Sequence, residues 1–193
     1  MLLANWQIAG IITAMSGLPI DIIDSNAGSL YGMAGVGAGG RPNWAPGATR
    51  STAMTNIPRG HFFNPFAFAR PTVIAGQIIP SSNGTATAGT TGTDFGNVER
   101  NVLRGPRQIN VDFSVIKRFP FAETKTIEFR AEFFNLFNHV NLANPISNLS
   151  GVTSSGGAIN SNTGQIINPG DFGRITGTSN NPRLIQFAVK LNF

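Results

Sequence analysis

The sequence predicts an all-β, antiparallel fold, and three observations lead there. Apolar and polar residues alternate in three segments, 108–117, 125–134 and 183–193. Successive side chains of a strand point to opposite faces, so a period of two makes a sheet with one apolar and one polar side. Charged residues are only 12 % of the 193, against about 25 % in soluble domains. No run approaches the ~20 consecutive apolar residues of a membrane helix, which leaves strands as the spanning element for such a chain. A strand of about 11 residues, rising roughly 3.4 Å each and tilted near 40°, covers about 28 Å, the height of a bilayer core.

Taken in order, residues 5–13 read as the first strand, with Trp6, Ile8 and Ile12 on one face and Asn5, Gln7 and Thr13 on the other. Gly17 and Pro19 are turn residues, so 15–19 reads as a tight connection into a short second strand, 18–23. There Leu18, Ile20 and Ile22 oppose Asp21. Residues 24–106 form the first long irregular stretch. It holds a glycine run (35–40), the segment RPNWAP (41–46), the aromatic segment HFFNPFAF (61–68) and a small polar tract (81–93). A structureless loop of this length is uncommon inside a compact domain. Either disorder or a large surface loop anchored by the aromatics is expected.

The clearest pair follows. In 108–117, Ile109, Val111, Phe113 and Val115 alternate with Gln108, Asn110, Asp112 and Ser114. Residues 119–124 make the turn. In 125–134, Ile127, Phe129, Ala131 and Phe133 alternate with Thr126, Glu128, Arg130 and Glu132. Glu, Ala and Leu are good helix formers, but a helix would smear these phenylalanines over more than half its surface, so the strand is preferred. Residues 138–181 are a second polar loop. The last strand, 183–193, sets Ile185, Phe187, Val189, Leu191 and Phe193 against Gln186, Lys190 and Asn192. Short turns alternate with long loops, the layout of outer-membrane barrels.

The net charge of +5 and a pI of 10.8 raise a polyanion-binding role. No basic run extends beyond Lys117-Arg118 and no aromatics interleave with a basic stripe, so no nucleic-acid partner is expected. The chain has no cysteine, which removes disulfide frameworks and thiolate metal sites. His61 and His139 stand alone in loop-like sequence without further ligands at metal spacing. Gly35, Gly37 and Gly40 match a dinucleotide fingerprint formally, but Arg41-Pro42 prevents the helix that motif requires. Glu128, Arg130 and Glu132 share one strand face about 7 Å apart, and read as an ion-paired ladder rather than a catalytic pair. No enzyme and no cofactor are expected. No secretory signal opens the chain, so an exported protein is expected to begin upstream of Met1.

Three blocks carry a family resemblance: FGNVERNVLRGP (95–106) leading into QINVDFSVIKRF (108–119), then EFRAEFFNLFNH (128–139), then FGRIT (172–176) with NPRLIQF (181–187). Together they resemble the C-terminal barrel of TonB-dependent outer-membrane receptors, closest to the Oar-like branch. WQIAGIITAMSGLP (6–19) and FNPFAF (63–68) are similar to further blocks in the same order.

The resemblance implies a large barrel of about 22 strands with a separate plug, driven by the TonB complex acting on that plug. The chain then reads as an antiparallel transmembrane β-barrel segment, about five C-terminal strands of a larger barrel with two long extracellular loops. It lacks the N-terminal barrel strands and the plug, and five strands leave two open edges, untenable in lipid. Transport is therefore not expected of these residues alone. Apolar residues of the last three strands are expected to face outer-membrane lipid. Asn110, Asp112, Ser114, Glu128, Arg130, Glu132, Gln186 and Lys190 are the expected lumen-facing set. The resemblance makes Phe187, Val189, Leu191 and Phe193 the signal read by the barrel-assembly machinery. The alternative is a soluble secreted β-sandwich for binding or adhesion, which requires a second sheet against the apolar face.

Overall fold

The computed structural model describes residues 3–28, 40–72, 78–79, 84–85, 94–122 and 125–193. Gly35, Gly37 and most of the polar tract at 81–93 lie outside them. The chain divides into two compact units. One contains residues 1–17, 106–143 and 177–193; the other contains 18–105 and 144–176.

The first unit is a four-stranded antiparallel sheet: β1 (Trp6–Met15), β2 (Gln108–Pro120), β3 (Thr126–Phe134) and β4 (Leu184–Asn192). The strands lie side by side in chain order. Their lengths of 10, 13, 9 and 9 residues suit tilted membrane-crossing strands, which need about 9–11. Register places Trp6 opposite Lys117 and Met15 opposite Gln108. Phe113 opposes Phe133, and Val189 opposes Phe129. The start of β1, the end of β2, the start of β3 and the end of β4 therefore share one end of the sheet. Both long connections leave from the other end.

β3 stops at Phe134 because Asn135 and Asn138 adopt left-handed backbone (φ 52° and 51°), which asparagine tolerates better than most side chains. Asparagine amides then close this end. Asn135 donates to the carbonyls of His139 and Asn181 and accepts from the His139 N–H. Asn141 accepts from the N–H of Ile109 at 2.8 Å and donates to its carbonyl at 2.9 Å, supplying both bonds that a neighbouring strand would otherwise provide.

The expected second stave at 18–23 is corrected. Only Pro19–Ile20 is strand, and it pairs with Leu103–Arg104 in the second unit rather than with β1. Pro19 has no N–H for a ladder, and Ile20 and Ile22 are buried in that unit's core. β1 pairs with β2 instead, so among the described residues the sheet has four strands rather than five, and 15–19 is not a hairpin turn.

Most of the described residues in the two expected long loops belong to the second unit, whereas 138–143 and 177–181 belong to the first. Phe63, Phe68 and Phe172 meet edge-to-face with ring centroids 5.2–6.0 Å apart, a geometry worth about 0.5–1.5 kcal/mol per pair beyond burial. Ile22, Val98, Leu103, Leu149 and Val152 complete the core around them. Short elements suffice to hold it, among them helices Arg50–Ala53 and Ser150–Ser154. A buried ion pair, Arg70 Nε to Asp24 Oδ2 at 2.9 Å, fastens two distant segments of the same unit.

Candidate functional site

The candidate site is the sheet, whose two faces differ in chemistry. One face carries Ile8 and Ile12 of β1, Val111, Phe113 and Val115 of β2, Ile127, Phe129 and Phe133 of β3, and Ile185, Phe187, Val189 and Leu191 of β4. The register puts these on the same side because cross-strand partners share a face. Many of them are open: Ile12 is 76 % exposed, Val189 70 % and Phe187 65 %. Phe129 stacks with Phe187 at 6.0 Å. Gly10 lies opposite Phe113.

Lys117 is the exception on this face. Its ammonium lies 4.9 Å from the Trp6 ring centroid and 5.4 Å from that of Phe119, and it donates to the Ala4 carbonyl. It sits near the sheet end that carries the short turn, where amphipathic side chains belong at a membrane boundary.

The opposite face carries the charges of the sheet, together with Ile11, Met15, Ile116, Phe134 and Leu184. Arg118 Nε donates to Glu128 Oε2 at 2.8 Å, and its Nη2 donates to Gln7 Oε1 at 3.1 Å. Arg130 reaches Glu128 at 3.1 Å and Glu132 at 3.6 Å. The result is one chain, Gln7–Arg118–Glu128–Arg130–Glu132, across three strands. Glu128 at its centre is held by two guanidiniums, which neutralises it without a buried unpaired charge. Asn110 donates to Asp112 at 2.8 Å, and Asp112 also accepts from the Asn135 N–H. Gln186 and Lys190 lie opposite Glu132 and Glu128 on the same side. Asn110, Asp112, Ser114, Glu128, Arg130, Glu132, Gln186 and Lys190 thus share one face. The sequence places Gln7 on the polar side of the first strand, but neither Gln7 nor Arg118, which join that face electrostatically, was in the expected lumen-facing set. Their parity within β1 and β2 was the available signal.

Phe187, Val189 and Leu191 line the apolar face of β4, and Phe193 follows it, 83 % exposed. His61 and His139 belong to different units. Among the described residues no group of metal-ligating side chains assembles.

A sheet one strand-length tall, greasy on one side and ion-paired on the other, is a wall between lipid and water: the architecture of a transmembrane β-barrel. The family comparison agrees. The chain belongs to the outer membrane beta barrel domain family, whose model matches residues 1–186, and this membership points to the bacterial outer membrane. No curated protein and no solved structure matches it. Among the described residues no second sheet covers the apolar face, as a β-sandwich would require. No described strand pairs with the outer edge of β1 or of β4 either, and the barrel is not closed within this chain.

Proposed function

We propose that this chain forms part of the barrel wall and the outer loops of a TonB-dependent receptor of the Oar-like branch, which takes up a substrate across the outer membrane. The observation that carries the reading is the ion-paired face on a sheet with two open edges. Such a face suits a water-filled or plugged lumen, and the open edges call for further strands, since an unpaired edge in lipid leaves backbone groups unsatisfied. The order of the sequence blocks at 95–119, 128–139 and 172–187 supports the particular family. In this reading the missing strands extend both edges, a plug fills the lumen, and the TonB complex acts on the plug. These residues transport nothing by themselves. The loop unit lies outside the cell, where a receptor first meets its substrate.

The test is made on the complete receptor in its native membrane. Heat-modifiable migration of outer-membrane fractions and growth-supporting uptake that disappears on TonB deletion are the expected results. Recovery of the protein in the soluble fraction contradicts the barrel. Uptake unaffected by TonB deletion contradicts the transport reading. Phe193→Ala is expected to lower the amount of protein in the outer membrane severalfold without changing its synthesis, measured by a fractionation blot. Unchanged insertion removes the assembly-signal role.

A further inference from the structure

We infer that a groove in the loop unit binds a small carboxylate carried on a planar apolar ring. The inference deepens the proposed receptor function and rests on it for the idea that this unit captures substrate. The groove encloses about 390 Å³, within the size range of small-molecule sites, roughly 300–1,000 Å³. One wall contains Trp44, Thr49 and Arg50; the other contains Glu99, Arg100 and Asn101.

Both walls are held firmly. The N–H of Asn97 donates to Asn43 Oδ1 at 3.1 Å, and the N–H of Trp44 donates to Asn97 Oδ1 at 2.9 Å. Backbone bonds from Gly96 to the Arg41 carbonyl and from Val98 to the Pro42 carbonyl extend that seam. Gly96 permits it: a Cβ there would stand 1.9 Å from the Pro42 carbonyl oxygen. Trp44 stacks on Phe68 at 5.1 Å, which ties its ring to the aromatic core. The backbone entering Arg50 is fixed by a reciprocal pair, Thr49 N–H to Thr52 Oγ1 and Thr52 N–H to Thr49 Oγ1.

The chemistry follows from these walls. Arg50 and Arg100 are exposed, one on each side, and neither enters an ion pair among the described residues. A guanidinium presents a planar fork of donors that matches a carboxylate. The indole of Trp44 offers a flat apolar partner for a ring. With Glu99 the groove keeps a net charge of +1, which attracts an anion.

The experiment titrates benzoate, benzamide and acetate into the complete, detergent-solubilised receptor by ligand-observed NMR. Benzoate is expected to bind at least tenfold more tightly than benzamide or acetate. Arg50→Gln combined with Arg100→Gln is expected to reduce benzoate binding to the benzamide level. Both arginines are exposed, and an unchanged limited-proteolysis pattern within 18–105 and 144–176 checks that the loop unit of the variant is folded. Benzoate binding no better than benzamide or acetate, or an unaffected double variant, overturns the proposal. These outcomes are separable from the receptor reading, which falls instead if uptake is independent of TonB while benzoate binding persists.

Discussion

In the sheet, Ile8, Ile12, Phe187 and Val189 are 65–76 % exposed, whereas in the loop unit Phe63, Phe68 and Phe172 are completely buried. The same class of residue is turned outward in one region and inward in the other. The loop unit obeys the rule of a protein in water, where burial of apolar area drives folding. The sheet inverts it: its charges interlock on one face while its aliphatic and aromatic side chains stand open on the other. A sheet face of this composition is stable against hydrocarbon and a liability in water. One chain thus contains regions built for two solvents, and substitutions should sort accordingly.

The largest expected effect is in the loop unit. Phe172→Ala removes a ring at the centre of the aromatic cluster, a change that costs about 3–5 kcal/mol in a packed core. Limited proteolysis of the purified receptor should show new cleavage within 18–105 and 144–176, while heat-modifiable migration of the barrel is retained. Loss of both together would show that the two regions do not fold separately.

Next comes the apolar face. Val189→Arg places a charge midway along β4, which costs about 2–4 kcal/mol near the bilayer midplane and should sharply lower the amount inserted. Gln186→Arg, on the polar face opposite Glu132, should insert at close to the parental level. Equal effects of the two would erase the distinction between faces.

A smaller effect is expected where the sheet ends. Asn141→Ala deletes two hydrogen bonds to Ile109, worth together about 1–3 kcal/mol, and should lower the temperature at which the heat-modifiable band shifts. Smallest of all, Glu128→Gln keeps a hydrogen-bonding group between Arg118 and Arg130 but removes its charge. Its shift in that temperature should be less than that of Asn141→Ala, because the two guanidiniums that hold Glu128 are themselves 47 % and 41 % exposed and screened by water.

The sheet was legible in the sequence because its determinant is local: alternation in β2, β3 and β4 sets each face without reference to distant residues. The loop unit was not legible, because Ile22, Phe68, Val98, Leu149 and Phe172 converge from five separated segments with no common period. The segment at 18–23 misled for the same reason. Leu18, Ile20 and Ile22 alternate like a stave, yet a buried strand edge in a compact core produces the same pattern. The partner of β1 was equally hidden, since its pairing with β2 spans the whole of the first long connection. The charged ladder was half visible: Glu128, Arg130 and Glu132 lie on one strand, but Gln7 and Arg118 join only through register. Asn135, Asn138 and Asn141 recur every three residues in plain view. Their role depends on left-handed turns at the first two and on the bare backbone of Ile109, which spacing alone does not disclose.

The central claim is that the apolar face meets lipid and the ion-paired face does not. The absence of native cysteine allows single cysteines to be placed at each position from 185 to 191, labelled with an environment-sensitive fluorophore and reconstituted with brominated lipid. Strong quenching at 185, 187, 189 and 191, with little at 186, 188 and 190, is the predicted result. Quenching with the opposite parity, or uniform quenching along β4, contradicts the account.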